Sequence, residues 1–244
     1  MLRRRRTLLG LAGVLVLAVA AGAGPAAGTP ETARYRVTLT NLTDSQPFSP
    51  PVAATHRKSV RMFQVGRLAS DELAAIAQNG DPGPMFSLFS GAKHVTDAVN
   101  VGRPLTRHGT IVGPFTDSAT FEIEAAPGDR FSIATMLICT NDGMLGLDAV
   151  KLPKSGSKAF MLNGYDAGRE RNDELSQDIV DPCSVLGPVA LPGDPDGNVD
   201  TGSVLTIPAQ PIAHHPGISG TGELSPTLHD WSDPVAQVVI ERVG

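Results

Sequence analysis

Two runs near the middle of the chain alternate apolar and polar side chains: "ATFEIEA" at residues 119–125 and "RFSIATMLI" at residues 130–138. Phe121 and Ile123 alternate with Glu122 and Glu124, while Phe131, Ile133, Thr135 and Leu137 share a second face. A period of two places alternate residues on opposite sides of an extended chain, which an α-helix cannot do. The connecting "APGD" carries turn residues, so the pattern predicts a β-hairpin. Twenty prolines and 26 glycines, with only 5% aromatics, fit a loop-rich β protein and disfavour a helical bundle.

Other segments repeat the pattern. "RYRVTLTNL" (34–42) puts Tyr35, Val37 and Leu39 on one face, and "KAFMLN" (158–163) is a further short strand. "SVRMFQVG" (59–66) reads as strand-like, "GTIVGPF" (109–115) as a strand end, and "AQVVIERV" (236–243) is apolar enough for the interior of a sheet. "SPPVAATH" (49–56) holds two prolines, which predicts an edge or a loop. One helix is expected in "SDELAAIAQNG", packing over an opening of a sheet. Ser70 would be its N-cap, Asp71 and Glu72 suit the positive end of its dipole, Gly80 ends it, and Leu73, Ile76 and Ala77 form its apolar stripe. Residues 181–234 are rich in Pro, Gly and Asp and predict irregular chain. Many short strands, frequent turns and one short helix point to an all-β fold, an antiparallel β-sandwich with long irregular loops.

The first residues read as a secretory leader. Arg3 to Arg6 form a basic start, an apolar run follows from Leu8, and small residues continue to Gly28. The expected division is a signal peptide over 1–28, a linker over 29–33 and one domain over 34–244, exported by the general or the twin-arginine route. A membrane span needs roughly 20 apolar residues, and no second stretch approaches that. The formal charge is −5, and losing Arg3 to Arg6 with no acid would take it to −9, which argues against nucleic acid as the natural partner. In an exported chain the two cysteines, Cys139 and Cys183, are expected to form one disulfide.

Carboxylates concentrate in two places, "CTNDGMLGLD" (139–148) and "NGYDAGRERNDE" (163–174). Asp142 and Asp166 each lie just beyond a predicted strand, and loops leaving neighbouring strands of a sandwich gather at one end. Three readings stay open on the residues: solvated turns, a catalytic acid pair, or the hard oxygen ligands of a cation. Calcium takes roughly six to eight oxygens from carboxylates, carbonyls and water. Asp142, Asp166 and Glu170 would supply the carboxylates, with Asp173 or Glu174 able to replace Glu170, and Gly143 and Gly168 would let the backbone bend.

These segments carry a family resemblance. "NDGMLGLDAV" followed by "YDAGRERND", with "LTNLTDSQPFSPPVAATH" before them and "HPGI" and "WSDPVAQVVIERV" after, resembles the spondin N-terminal domain in the compact form of single-domain exported bacterial proteins. The resemblance implies a C2-like β-sandwich holding Ca2+ in loops at one end, with Asp142, Asp166 and Glu170 at the ligand positions. Two departures stand out. Thr140-Asn141 and Gly143 flank the first aspartate where animal members have serine-proline and tryptophan, and the last acid is glutamate, directly after Arg169. It also implies a secreted or cell-envelope, non-enzymatic binding or structural module whose partner is an extracellular protein or glycan. A secreted hydrolase or carbohydrate-active enzyme using the same carboxylates is the competing class.

Remaining motifs carry less. "DPDGNVD" (194–200) starts like an EF-hand loop but has Val199 and Leu205 where glycine and glutamate are required. His214 and His215, adjacent in sequence, would point to opposite faces, one packing near Trp231. "GISGTG" (217–222) fits neither a nucleophile elbow nor a phosphate loop, and "NLT" (41–43) is a bare sequon. Residues 151–158 are modestly basic and read as an exposed hairpin.

Overall fold

The computed structural model describes residues 31–107, 115–189, 191 and 205–244. The leader, most of the 109–115 strand end and the EF-hand-like stretch lie outside them. Among the described residues, ten strands make two antiparallel sheets. The four-stranded sheet has the order β4 (Ser118–Ala125), β1 (Ala33–Asn41), β10 (Ala236–Arg242), β7 (Ser157–Leu162). The six-stranded sheet has the order β3 (Val95–Asn100), β2 (Val52–His56), β5 (Arg130–Met136), β6 (Gly143–Lys151), β8 (Gly164–Asp166), β9 (Ala213–His214). The sandwich follows from the alternation: Val37, Leu39, Val238, Ile240 and Ile123 face Phe131, Ile133 and Leu145 across the sheets in one buried cluster. Each such side chain removed from water contributes about 1.5–3 kcal/mol.

Several expectations are corrected. The alternating runs are strands β4 and β5, but they do not pair with each other: β4 pairs with β1, and β5 with β2 and β6. "APGD" is an arch between sheets, closed by Asp129, whose N–H donates to the Ala126 carbonyl and whose Oδ2 accepts from the Ala126 N–H. Alternation marks an inward face without specifying which sheet carries it, so Ile123 and Phe131 meet across the core rather than side by side. Residues 151–158 are a crossover of the same kind, since β6 pairs with β5 and β8 while β7 pairs with β10.

β2 is an interior strand between β3 and β5, fully buried, because Pro50 and Pro51 precede its ladder instead of interrupting it. Residues 59–66 are not a strand. The Met62 N–H donates to Asp148 Oδ1 at 2.7 Å, so the backbone there is satisfied by a side chain.

Helix α1 (Asp71–Asn79) starts at Ser70, whose hydroxyl accepts from the Leu73 N–H, and ends at Gly80 in the left-handed region. It covers a face of the six-stranded sheet, not an opening: Leu73, Ile76 and Ala77 pack with Val52, Ala54, Ala134 and Met144. It is not alone. Helix α2 (Gly83–Ser90) buries Met85 and Phe89, and two short helices follow, α3 (Pro182–Leu186) and α4 (Pro226–His229). "GPMFSLFS" is apolar nearly all round, so it gives no amphipathic period to read. Cys139 and Cys183 are disulfide-bonded, joining the end of β5 to α3 within a third buried cluster with Ile138, Ile179 and Leu186. Among the described residues no helix is long and apolar enough to cross a membrane.

Candidate metal centre

The loop after β5 is fixed before any ligand is considered. Cys139 donates its N–H to Gln46 Oε1 at 2.9 Å, and Gln46 Nε2 donates back to the Cys139 carbonyl at 3.1 Å. The Thr140 hydroxyl donates to the Leu137 carbonyl at 2.6 Å and accepts from the Gly143 N–H at 2.7 Å. This tight turn delivers Asp142 to the start of β6, fully buried. Asp166 closes β8 and sits opposite Gly143 in the β6–β8 ladder, and the next amide, Ala167 N–H, donates to the Asp142 carbonyl. Two loops distant in sequence thus bring Asp142 and Asp166 together.

Their oxygens are unequally satisfied. Asp142 Oδ2 accepts from the backbone N–H groups of Arg169 (2.6 Å) and Glu170 (3.0 Å). Asp142 Oδ1 is buried with no hydrogen-bond partner. Asp166 Oδ1 accepts from the Gly168 N–H at 2.7 Å and Oδ2 from Asn172 Nδ2 at 2.7 Å. Gly168 is required here. Its φ is +72°, and an added Cβ would lie 2.1 Å from the Gln210 carbonyl oxygen. Burial pushes Asp142 up to about 7, and the neighbouring Asp166 charge adds to this, against the backbone donors and the Arg169 charge, which favour ionisation.

Glu170 is buried and turned toward α1, where its Oε1 accepts from Gln78 Nε2 at 2.8 Å. Its own N–H, as noted, holds Asp142. Among the described residues, no group of three or more His, Cys, Asp or Glu side chains is arranged to hold a metal ion. The other two acids of the segment are tied elsewhere. Asp173 Oδ1 accepts from Asn141 Nδ2, and Glu174 is enclosed by residues 219–220. Sequence reading missed Asn172. Its amide nitrogen orients Asp166, while its Oδ1 is buried and unpartnered, a second orphaned acceptor beside the carboxylate pair. Its position inside the acidic run was the available signal.

Two buried oxygens without donors, Asp142 Oδ1 and Asn172 Oδ1, together with the Asp166 carboxylate form a hard oxygen donor set. That chemistry fits a cation such as calcium and does not fit a soft metal.

His214 and His215 do point apart. His214 Nε2 pairs with Asp233 Oδ2 at 2.5 Å at the surface, while His215 is buried with its ring centroid 5.0 Å from that of Trp231. The Gly217 N–H donates to His215 Nδ1 at 3.0 Å, so in the neutral ring the proton sits on Nε2. Burial holds His215 down at about 4, which keeps it neutral near pH 7. A protonated Nε2 has no lone pair for a metal, and His215 is therefore no ligand in this arrangement.

The glycine-rich 217–222 stretch has a structural role. Glu174 Oε1 accepts from the Ser219 N–H (2.6 Å) and hydroxyl (2.8 Å), and Oε2 accepts from the Gly220 N–H (2.7 Å). Burial alone would raise the Glu174 pKa, but these donors outweigh it and hold the group below its ordinary value. A depressed carboxylate stabilises the fold above its unfolded pKa and loses that contribution as pH falls through its folded value. Glu174→Gln is expected to destabilise by about 1–3 kcal/mol at pH 7 and to flatten the acid limb of the stability profile, read by urea unfolding from pH 3 to 7. A variant as stable as the parent at pH 7 would mean the loop is held by other contacts.

Two cavities, of about 610 and 470 Å³, are lined by other residues than Asp142 and Asp166. Residues 40–175 match the family model described as Spondin_N. No curated protein matches the chain.

Proposed function

The chain belongs to the spondin N-terminal family, and on that footing we propose that it is an exported, non-enzymatic module that binds calcium at the Asp142–Asp166 end of its sandwich. Family membership and the Cys139–Cys183 disulfide suit an extracellular setting. Asp142 and Asp166 are the proposed carboxylate ligands, with Asn172 Oδ1 adding a neutral oxygen; Glu170, held toward α1 by Gln78, is proposed as the third and would have to turn toward the ion. The observation that carries the reading is Asp142 Oδ1, an acidic oxygen wholly buried and without a donor. Leaving such an oxygen unmatched costs about 1–3 kcal/mol or more, and a bound cation removes that cost. Bound there, calcium neutralises the paired carboxylates. The chain's own residues do the rest: Gly168 and Asn172 orient Asp166, the Arg169 and Glu170 amides orient Asp142, and Gln78 ties Glu170 to α1. The rigidified loops would then present a surface to an extracellular protein or glycan.

The test is calorimetric titration of chelator-treated protein with calcium, with magnesium as control, beside thermal unfolding. One calcium per chain is expected, with a rise in Tm that grows with calcium concentration. Asp166→Ala should abolish both. Glu170→Gln, which keeps an acceptor for Gln78, should weaken binding about tenfold or more through the lost charge. A parent that takes up no calcium would end the proposal.

A further inference from the structure

The opposite end of the sandwich holds chemistry of the opposite sign. β1 and β5 begin there and β4, β6 and β10 end there, around a cavity of about 470 Å³. That size falls in the roughly 300–1,000 Å³ range of small-molecule sites. Four cationic residues line it: Arg130, Lys151, Lys154 and Arg242. Lys151 and Lys154 are exposed and take part in no ion pair among the described residues, and Arg130 Nε is buried without an acceptor. Two acids share the lining. Asp129 Oδ2 accepts from the Ala126 N–H and the Thr96 hydroxyl, while its buried Oδ1 has no hydrogen-bond donor and faces Arg57 Nη1 at 3.3 Å, so its charge is offset by an arginine outside the lining. Glu31 stands exposed as the remaining acid. Tyr35, Ala33, Ala125 and Leu152 give the cavity an apolar side, with the Tyr35 hydroxyl donating to the Pro153 carbonyl at 3.2 Å.

We propose that this cavity binds a phosphate monoester carried on a small apolar body, with Arg130, Lys151 and Lys154 matching the dianion and the Tyr35–Leu152 side receiving the apolar part. The chain's formal charge is −5, yet four cations and only two acids line this cavity. A buried guanidinium N–H without an acceptor is the group that a phosphate oxygen would satisfy. The carboxylate pair lies at the far end, so the site works independently of calcium.

Phenyl phosphate is the free-ester probe, and vesicles of phosphatidylcholine with phosphatidic acid are the lipid probe, with phenol and phosphatidylcholine alone as controls. Saturable binding of phenyl phosphate in calorimetry, or of the phosphatidic acid vesicles in co-sedimentation, is expected, and the arm that responds identifies the source. Lys151→Gln with Lys154→Gln should weaken it at least tenfold. Both side chains are exposed, so the fold should survive, and Arg130→Gln provides a second reading. Asp166→Ala should leave it unchanged. Binding by neither probe, or binding that survives in the double variant, overturns the assignment.

Discussion

Asp142→Asn is expected to raise the melting temperature of the protein in chelator at pH 8 and to erase the proposed response to calcium. Burial and the Asp166 charge lift the Asp142 pKa from 3.8 to about 7 in the folded state. Between those values the native carboxyl keeps a proton that the unfolded chain has released. Stability therefore falls as pH climbs from about 4 to about 7, and the full cost is present above 7. Asparagine is neutral throughout. Its carbonyl still accepts from the Arg169 and Glu170 N–H groups, and its amide would stand beside Asp166 in place of the orphaned oxygen. The expected gain is on the order of a few kcal/mol, or roughly 5–10 °C for a domain of this size. On the proposed reading calcium would have to displace the proton in the parent, so its stabilising effect should be larger at pH 8 than at pH 5.5. Thermal scans of both proteins at the two pH values, with calcium and with chelator, read all four comparisons. A variant less stable than the parent at pH 8 without calcium would show that Asp142 ionises at no cost, and the cation reading would lose its driving force.

Removing the disulfide has a comparable effect in the other direction. Cys139 and Cys183 are both fully buried and 44 residues apart, so the bond closes a long loop in the unfolded chain. On the chain-entropy model, opening it costs about 4 kcal/mol, or roughly 8–16 °C in Tm. Cys139→Ala with Cys183→Ala is expected to show that loss in urea unfolding, and reductant should change the parent but not the variant. Calcium binding should persist, because Gln46 holds the Cys139 backbone through two hydrogen bonds independent of sulfur. A variant that unfolds with the parent's midpoint would mean the α3 segment is held by packing alone.

Much of what the chain states locally holds, with residues 59–66 and the proline-led 49–56 as the exceptions. The period-two runs became strands β1, β4 and β5, because alternation is a property of one strand and its own two faces, and the short apolar runs at 158–163 and 236–243 became β7 and β10. Ser70, Asp71 and Gly80 bounded α1 for the same reason: caps act within one turn. The cysteine pair was legible once the leader-like start led to an expectation of export, where two thiols are rarely left free. The acidic loops were visible too, as was the separation of His214 from His215. Pairing was not legible. Whether β5 lies beside β4 or across the core from it depends on which partner completes its ladder, and alternation is identical in both cases. Nor did spacing reveal that Glu170 would turn to Gln78 on α1, or that Asn172 would stand beside Asp166 with a spare oxygen. Those outcomes depend on how two sheets and a helix pack, and close packing decides between side-chain positions that the sequence leaves equivalent. The sequence by itself determined the strands, the α1 caps and the charges of the two acidic loops. Only the tertiary structure decided which charges meet, bringing Asp142 to Asp166 at one end and Arg130 to Lys151 and Lys154 at the other, because unlike local segments become neighbours only once the core has closed.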